Sequence, residues 1–232
     1  MFDIQYNDIR ASVLKVFIKQ RPNIPAAKKA YKEIEVPGVD GKYLQDERRF
    51  ESTEIAVPMN YIGPENKWSK RWRKIQKWLS GTNGELVFSD NPDYYYRIVR
   101  VNLSDNERKG RRIGDFTATF ITKDGLEYLR SGKEKYDLKD LSWNSGEVAF
   151  PDYYISGVGT CTISVNGNDF EVKFNGSVIL DTERRLIYLP DKTIVNNIGK
   201  GDFENLYLQP GQNAISVSKG FVAKAIPHWR CR

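Results

Sequence analysis

The sequence predicts a mainly β protein of two domains with one α-helix, and three observations carry that prediction. Short apolar segments recur along the whole chain, separated by clusters of Gly, Pro, Asn and Asp. A single stretch, Glu65 to Leu79, has the periodicity of an amphipathic helix. The net charge of +6 is also unevenly placed: residues 1–140 hold 27 Lys and Arg against 21 Asp and Glu, while residues 141–232 hold nine of each. That asymmetry predicts two units with different surfaces. The 13 Tyr, 11 Phe and 5 Trp lean towards β structure as well.

In the first part, Val13 to Ile18 reads as a buried strand. A loop with Pro22 and Pro25 follows, then Tyr31 to Val36 as an alternating strand. Pro37-Gly38-Val39-Asp40-Gly41 has turn chemistry, and Arg49 to Asn60 is extended, with Phe50, Ile55 and Val57 alternating. On a helix of about 100° per residue, Trp68, Trp72, Ile75 and Leu79 fall within roughly 40° of one line. Lys70, Arg73, Lys74 and Lys77 lie opposite, with Trp78 on the flank. Rings and cations on opposite faces favour a helix packed on a core over an exposed stacking platform for nucleic acid. Ser80-Gly81 is a candidate C-cap. Leu86 to Phe88 and Tyr94 to Leu103 pair around Asp90-Asn91-Pro92-Asp93, and after a basic loop, Asn106 to Arg112, the next strand is Ile113 to Thr122. Residues 131–146 are polar and aperiodic. The expected division is therefore a first domain over 1–132, a linker over 133–146 and a second domain over 147–232.

The second part is strand after strand, which argues for a β-sandwich. Thr160 to Val165 and Phe170 to Phe174 flank Asn166-Gly167, the strongest hairpin signal in the chain. Ser177 to Asp181 and Arg185 to Leu189 follow. Asn213 to Ser218 and Phe221 to Ile226 are expected to form a last hairpin around Lys219-Gly220.

No chemistry of a catalytic kind emerges. The one histidine, His228, has no Cys or second His near it, and no catalytic, cofactor-binding or metal residue is assigned. There is no nucleophile elbow, phosphate loop or dinucleotide fingerprint. Asp90, Asp93, Asp181 and Glu183 read as turn formers. Cys161 and Cys231 have no metal-ligand spacing and are expected as free thiols. No apolar run is long enough to span a membrane, and the start of the chain lacks a signal-peptide pattern, so synthesis in the cytoplasm is the expectation. Asp202 to Gln209 resembles an engineered protease site but reads as native sequence, lying between two strand patterns.

Taken in order, these segments resemble the distal tail protein (Dit) family of long, non-contractile-tailed bacteriophages. Val36-Pro37-Gly38-Val39-Asp40-Gly41-Lys42-Tyr43-Leu44 resembles the family's first hairpin. The Trp-rich helix, Gly84 to Phe88 and Asp90-Asn91-Pro92-Asp93-Tyr94-Tyr95-Tyr96 resemble its central core, and Gly114 to Phe120 the strand after it. Gly157 to Gly167, Val178 to Asp181, Gly201-Asp202-Phe203, Pro210 to Asn213 and Pro227 to Arg230 resemble its C-terminal domain. Val39 stands where the family has a basic residue, and Cys161 where a β-branched residue or leucine is usual.

The resemblance implies a non-enzymatic virion protein without cofactors. It implies an N-terminal β-sandwich with the helix and an extended β-hairpin arm, for which residues 20–44 are the candidate, plus a galectin-like or carbohydrate-module-like C-terminal β-sandwich. It implies a homohexameric ring at the phage tail tip, assembled in the host cytoplasm. The ring joins the tail tube protein to tail-tip and receptor-binding proteins and encloses a channel for DNA in passage. The competing expectation is a carbohydrate-binding module, with Tyr153, Tyr154, Tyr188, Tyr207 and Trp229 as candidate stacking rings, of which at most one or two are expected to be exposed and most to pack in the core. Direct binding of nucleic acid by the basic first domain ranks below both.

Overall fold

The structure, a computed structural model, describes residues 2–38 and 40–232. It is mainly β, with one α-helix among the described residues, and divides into two compact units: residues 1–127 with Arg232, and Tyr128–Cys231. The first unit keeps the charge, with 23 Lys and Arg against 18 Asp and Glu over residues 1–127. Residues 128–231 hold 12 of each.

In the first unit the main sheet runs in the order Ile9–Arg10, Ile4–Tyr6, Gly84–Phe88, Asn91–Leu103, Ile113–Leu129, Glu54–Ile62, Val16–Ile18. Its two end strands are joined by only Ala11 to Lys15, a reach of at most about 20 Å. The sheet must therefore wind round until its ends approach, and its inner face encloses the core. That face alternates along Glu54–Ile62, where Ile55, Val57, Met59 and Tyr61 are all fully buried. Phe116, Ala118 and Phe120 do the same on the neighbouring strand, as their spacing predicts.

The helix begins with a 3-10 turn, Glu65–Lys67, and continues as Trp68–Leu79. Its position is as expected, but its buried face is rotated. Ile75, Trp78 and Leu79 are buried, while Trp68 and Trp72 are only partly covered. Trp78, placed on the flank by the wheel, is the tryptophan that enters the core. Its indole Nε1 donates to the Tyr6 carbonyl at 3.0 Å and its ring meets Tyr6 edge-on. The candidate pair Ser80-Gly81 does end the helix, but Gly81 is not in the left-handed region. Ser80 ends the helix at φ −83°, and Asn83 takes the positive φ, 57°.

Several boundaries differ from expectation for local reasons. Val13 is 73% exposed because Ala11–Leu14 is a 3-10 turn, and the strand starts at Val16. Asn91, Pro92 and Asp93 belong to a strand, so the turn before it is only Ser89-Asp90. Ile113–Leu129 runs past Thr122 because the Thr122 hydroxyl accepts from the N–H groups of Thr53 and Gly125 and carries the chain across an irregularity.

Close packing makes one glycine indispensable. A Cβ on Gly84 would overlap the Tyr6 ring, which is itself fully buried. Gly84→Ala should lower unfolding free energy by about 1–3 kcal/mol, the usual cost of overpacking, as read by denaturant titration.

The second unit is built on Asp152–Val165 and Asn168–Asp181, paired antiparallel from Asp152↔Asp181 to Val165↔Asn168. The connection is Asn166-Gly167, with φ of 55° and 83°. Two successive positive φ values match the twist of the strands, and Gly167 supplies the second without strain. The hairpin is more than twice as long as expected, with 14 residues in each strand, and Ser177 to Asp181 continues the second strand. Leu186–Tyr188 and Gly199–Lys200 flank one side.

The expected last hairpin does not form. Ile215–Val217 and Val222–Ile226 both pair with Asp152–Val165, the first at Ile163 to Val165 and the second at Asp152 to Ser156. Lys219-Gly220 makes a tight turn that carries the chain from one end of the long strand to the other. Residues 133–146 are not a free linker: they include Tyr136–Asp137 and Trp143–Asn144, and Leu141 is fully buried in the second core. Their low periodicity reflects short 3-10 turns, not a lack of packing. Cys161 is buried, and neither it nor Cys231 is in a disulfide.

Candidate assembly surfaces

Two surfaces of the first unit stand out by what they leave uncovered. The first is a hairpin of its own, Lys29–Ile34 paired with Tyr43–Phe50, outside the main sheet. The region expected as an arm, residues 20–44, contains its outgoing strand, but its return strand extends to Phe50. Residue 39 of the tip lies outside the described residues. The register shifts between Lys29 and Tyr31, where a bulge on the return strand places Arg48 at φ 56° with its N–H on Asp46 Oδ1. The Glu51 N–H on the Lys28 carbonyl closes the base.

Facing pairs define the two sides of the hairpin. Tyr31 lies opposite Asp46 and Glu33 opposite Leu44 on one side; Lys32 lies opposite Gln45 and Ile34 opposite Tyr43 on the other. Each side thus carries two apolar residues with little cover, and Tyr43 and Leu44 are 59% and 64% exposed. The visible support is weak. Lys42 pairs with Glu33 and Glu35, which hold its ammonium above the usual lysine range, and Lys29 lies 3.6 Å from Asp46. Exposed pairs like these add little stability. A lone two-stranded hairpin is marginal in water, so this one needs a further surface to rest on.

The second surface is the helix. Tyr61 anchors its underside: Trp72 stacks on it with ring centroids 6.1 Å apart, Trp68 lies at 5.9 Å, and Phe116 meets Trp72 edge-on. Asn106 donates to the Tyr61 hydroxyl at 2.9 Å. Burial raises the Tyr61 phenol pKa, partly offset by that bond and by Arg108 and Arg71. Arg108 also covers the Trp68 ring at 5.1 Å.

The solvent side of the helix presents Lys70, Arg73, Lys74 and Lys77, all exposed as expected. These make four like-charge neighbours at i,i+3 and i,i+4, each costing about 0.2–0.5 kcal/mol. Replacing all four with Gln, a comparable helix former, should raise stability by roughly 1 kcal/mol in thermal unfolding at low salt.

The candidate stacking rings of the second unit are largely engaged. Tyr153 is fully buried, donates to the Leu206 carbonyl, and burial pushes its phenol far above the usual range. Lys135 Nζ sits 3.5 Å from the centre of the Tyr154 ring, Tyr207 packs edge-on against Phe150, and Trp229 packs against the core. Tyr188 is half-buried. The prominent exposed ring is Trp143, at 65%, which sequence reasoning missed because it lies in the stretch read as linker. His228 Nε2 is 3.0 Å from Asp152 Oδ2. No group of three or more His, Cys, Asp or Glu able to hold a metal occurs among the described residues, nor any helix long and apolar enough to cross a membrane.

Asp181 is more than a turn former. It is buried, and its Oδ1 accepts from the Arg184 N–H. Burial raises its pKa, and the Asp152 charge adds to the rise. A carboxyl raised on folding contributes stability below its unfolded pKa and loses it as pH rises through the folded value. Asp181→Asn should therefore melt higher than wild type at pH 7, with the difference vanishing below about pH 4.

Comparison with known proteins decides the family. Residues 4–122, or 119 of the 232, match the model of the phage tail protein RIFT-related domain. The chain belongs to this phage tail protein family. The match coincides with the unit that carries the wound sheet, the helix and the arm. The fold is also similar to a crystal structure described as SPP1 Dit (gp 19.1), a paradigm of hub adsorption apparatus in Gram-positive infecting phages. The TM-score is 0.70 over 97% of this phage tail protein and 98% of that chain, at 16% identity. Identity that low carries the likeness of fold alone. No curated protein sequence matches.

Proposed function

We propose that this phage tail protein is a distal tail hub. Six copies form a ring that joins the tail tube to the adsorption apparatus at the tail tip and surrounds the path of the DNA. The observation that carries this reading is the uncovered hairpin arm on a unit of the phage tail family. A closed ring needs two different patches per protomer, one meeting the other on the next copy. The arm supplies one patch, through backbone edges and the apolar pairs at Ile34/Tyr43 and Tyr31/Leu44. The likeness of fold to a protein described as a hub of an adsorption apparatus supports the same position. The role is structural and non-enzymatic. The ring assembles in the host cytoplasm, with the tail tube protein on one side and tail-tip or receptor-binding proteins on the other.

Native mass spectrometry of the purified chain across a range of concentrations tests the reading. A six-copy species supports it. A monomer at every concentration that binds glycans would replace it with the carbohydrate-module reading.

A further inference from the structure

We propose that the cationic face of the Trp68–Leu79 helix is a docking surface for an acidic face of a different tail protein. Between Asn66 and Asn83 the chain has six Lys and Arg and no Asp or Glu. Lys70, Arg73, Lys74 and Lys77 are exposed and make no ion pair among the described residues. Elsewhere in the same unit exposed cations commonly meet a carboxylate: Lys19 with Asp115, Arg21 with Asp90, Arg49 with Glu47. The bare cations are therefore a local feature of this helix and not a property of the whole surface.

The charges cannot be hidden by rotating the helix, because Ile75, Trp78 and Leu79 fix the opposite face in the core. Arg108 is held over Trp68, and the Gly63 N–H on the Arg112 carbonyl ties the neighbouring loop to the helix entrance. A row of like charges on a rigid element disfavours the free helix, and an opposing row of carboxylates removes that cost.

Complementarity selects the occupant. A second copy would have to meet it with a different face, and residues 1–127 have an excess of cations over carboxylates. Single-stranded nucleic acid would need rings exposed among the cations, but Trp72 and Trp78 turn towards the core and Trp68 is covered by Arg108. Lys70, Lys74 and Lys77 are spaced about 6 and 4.5 Å along the axis at 1.5 Å per residue. Carboxylates on one facing helix or strand match that spacing. Such a contact also steers the encounter of two proteins during assembly.

The inference rests on membership of the tail protein family and on the hub's place in the tail, but not on the number of copies in the ring. Zero-length carbodiimide coupling of purified tails tests it, since an amide forms only between a lysine Nζ and a carboxylate in contact. The expected products are peptides joining Lys70, Lys74 or Lys77 to Asp or Glu of another tail protein. They should disappear in K70Q/K74Q/K77Q, whose purified chain melts no lower than wild type. Coupling only to copies of this chain, ultraviolet crosslinks from this helix to DNA, or uncoupled lysines in tails whose other interfaces do couple, would each overturn it. Absence of the chain from tails would overturn the hub reading as well, so the two failures are distinguishable.

Discussion

Removing the apolar side chains of the arm, in Tyr43→Ala/Leu44→Ala, should abolish the proposed six-copy species while leaving the fold of each copy intact. Both residues are more than half exposed and sit on a hairpin outside the main sheet, so truncation takes little from either core. In an interface, by contrast, an anchoring aromatic or aliphatic residue is commonly worth about 2 kcal/mol or more. At about 1.4 kcal/mol per tenfold, 2 kcal/mol weakens each contact roughly 30-fold. A ring repeats the loss at every junction. Native mass spectrometry should therefore show monomer in place of ring, with circular dichroism unchanged. A ring that survives the double substitution would exclude the arm as the clasp. Glu33→Gln is the matching control: it breaks an exposed ion pair only and should leave assembly as it was.

Trp78→Ala should be the most damaging single change in the helix. It removes a ring that is 7% exposed and the donor to the buried Tyr6 carbonyl. Truncation of a large buried aromatic costs about 3–5 kcal/mol. For a unit of this size that corresponds to roughly 10–20 °C in melting temperature. Trp72→Ala should cost distinctly less, because Trp72 is only partly covered. The order separates the observed packing from a simple helical wheel, which puts Trp72 on the buried face and Trp78 on its flank. Differential scanning calorimetry of the two variants checks it; equal losses would contradict the observed orientation.

The wheel failed at Trp78 for a physical reason. It assumes that the core lies along the axis of the largest apolar arc. Here Tyr6 lies against the last turn, its carbonyl accepting from the Trp78 Nε1 and its ring meeting the indole edge-on, so burial shifts towards Ile75, Trp78 and Leu79. Tertiary shape of that kind leaves no trace in helical periodicity. The hairpin at Asn166-Gly167 was legible because positive φ at two successive positions is a local demand with a local signature. The strands at Ile215–Val217 and Val222–Ile226 were locatable, but their pairing was not. Lys219-Gly220 turns equally well between strands that pair with each other and strands that share a third. The arm was half legible. Its turn and sparse apolar content marked the outgoing strand, but the polar return strand, Tyr43–Phe50, has no alternation to find. The exposure of Leu44 and Tyr43 came only from the fold.

The proposed place of this chain at the tail tip and the proposed clasp of its arm are tested together by cryo-electron microscopy of purified phage tails. The expected map has six copies of this chain in one ring at the end of the tail tube, each Lys29–Phe50 hairpin lying on the next copy. A different copy number, or a ring in which the hairpins touch no neighbour, would contradict the account.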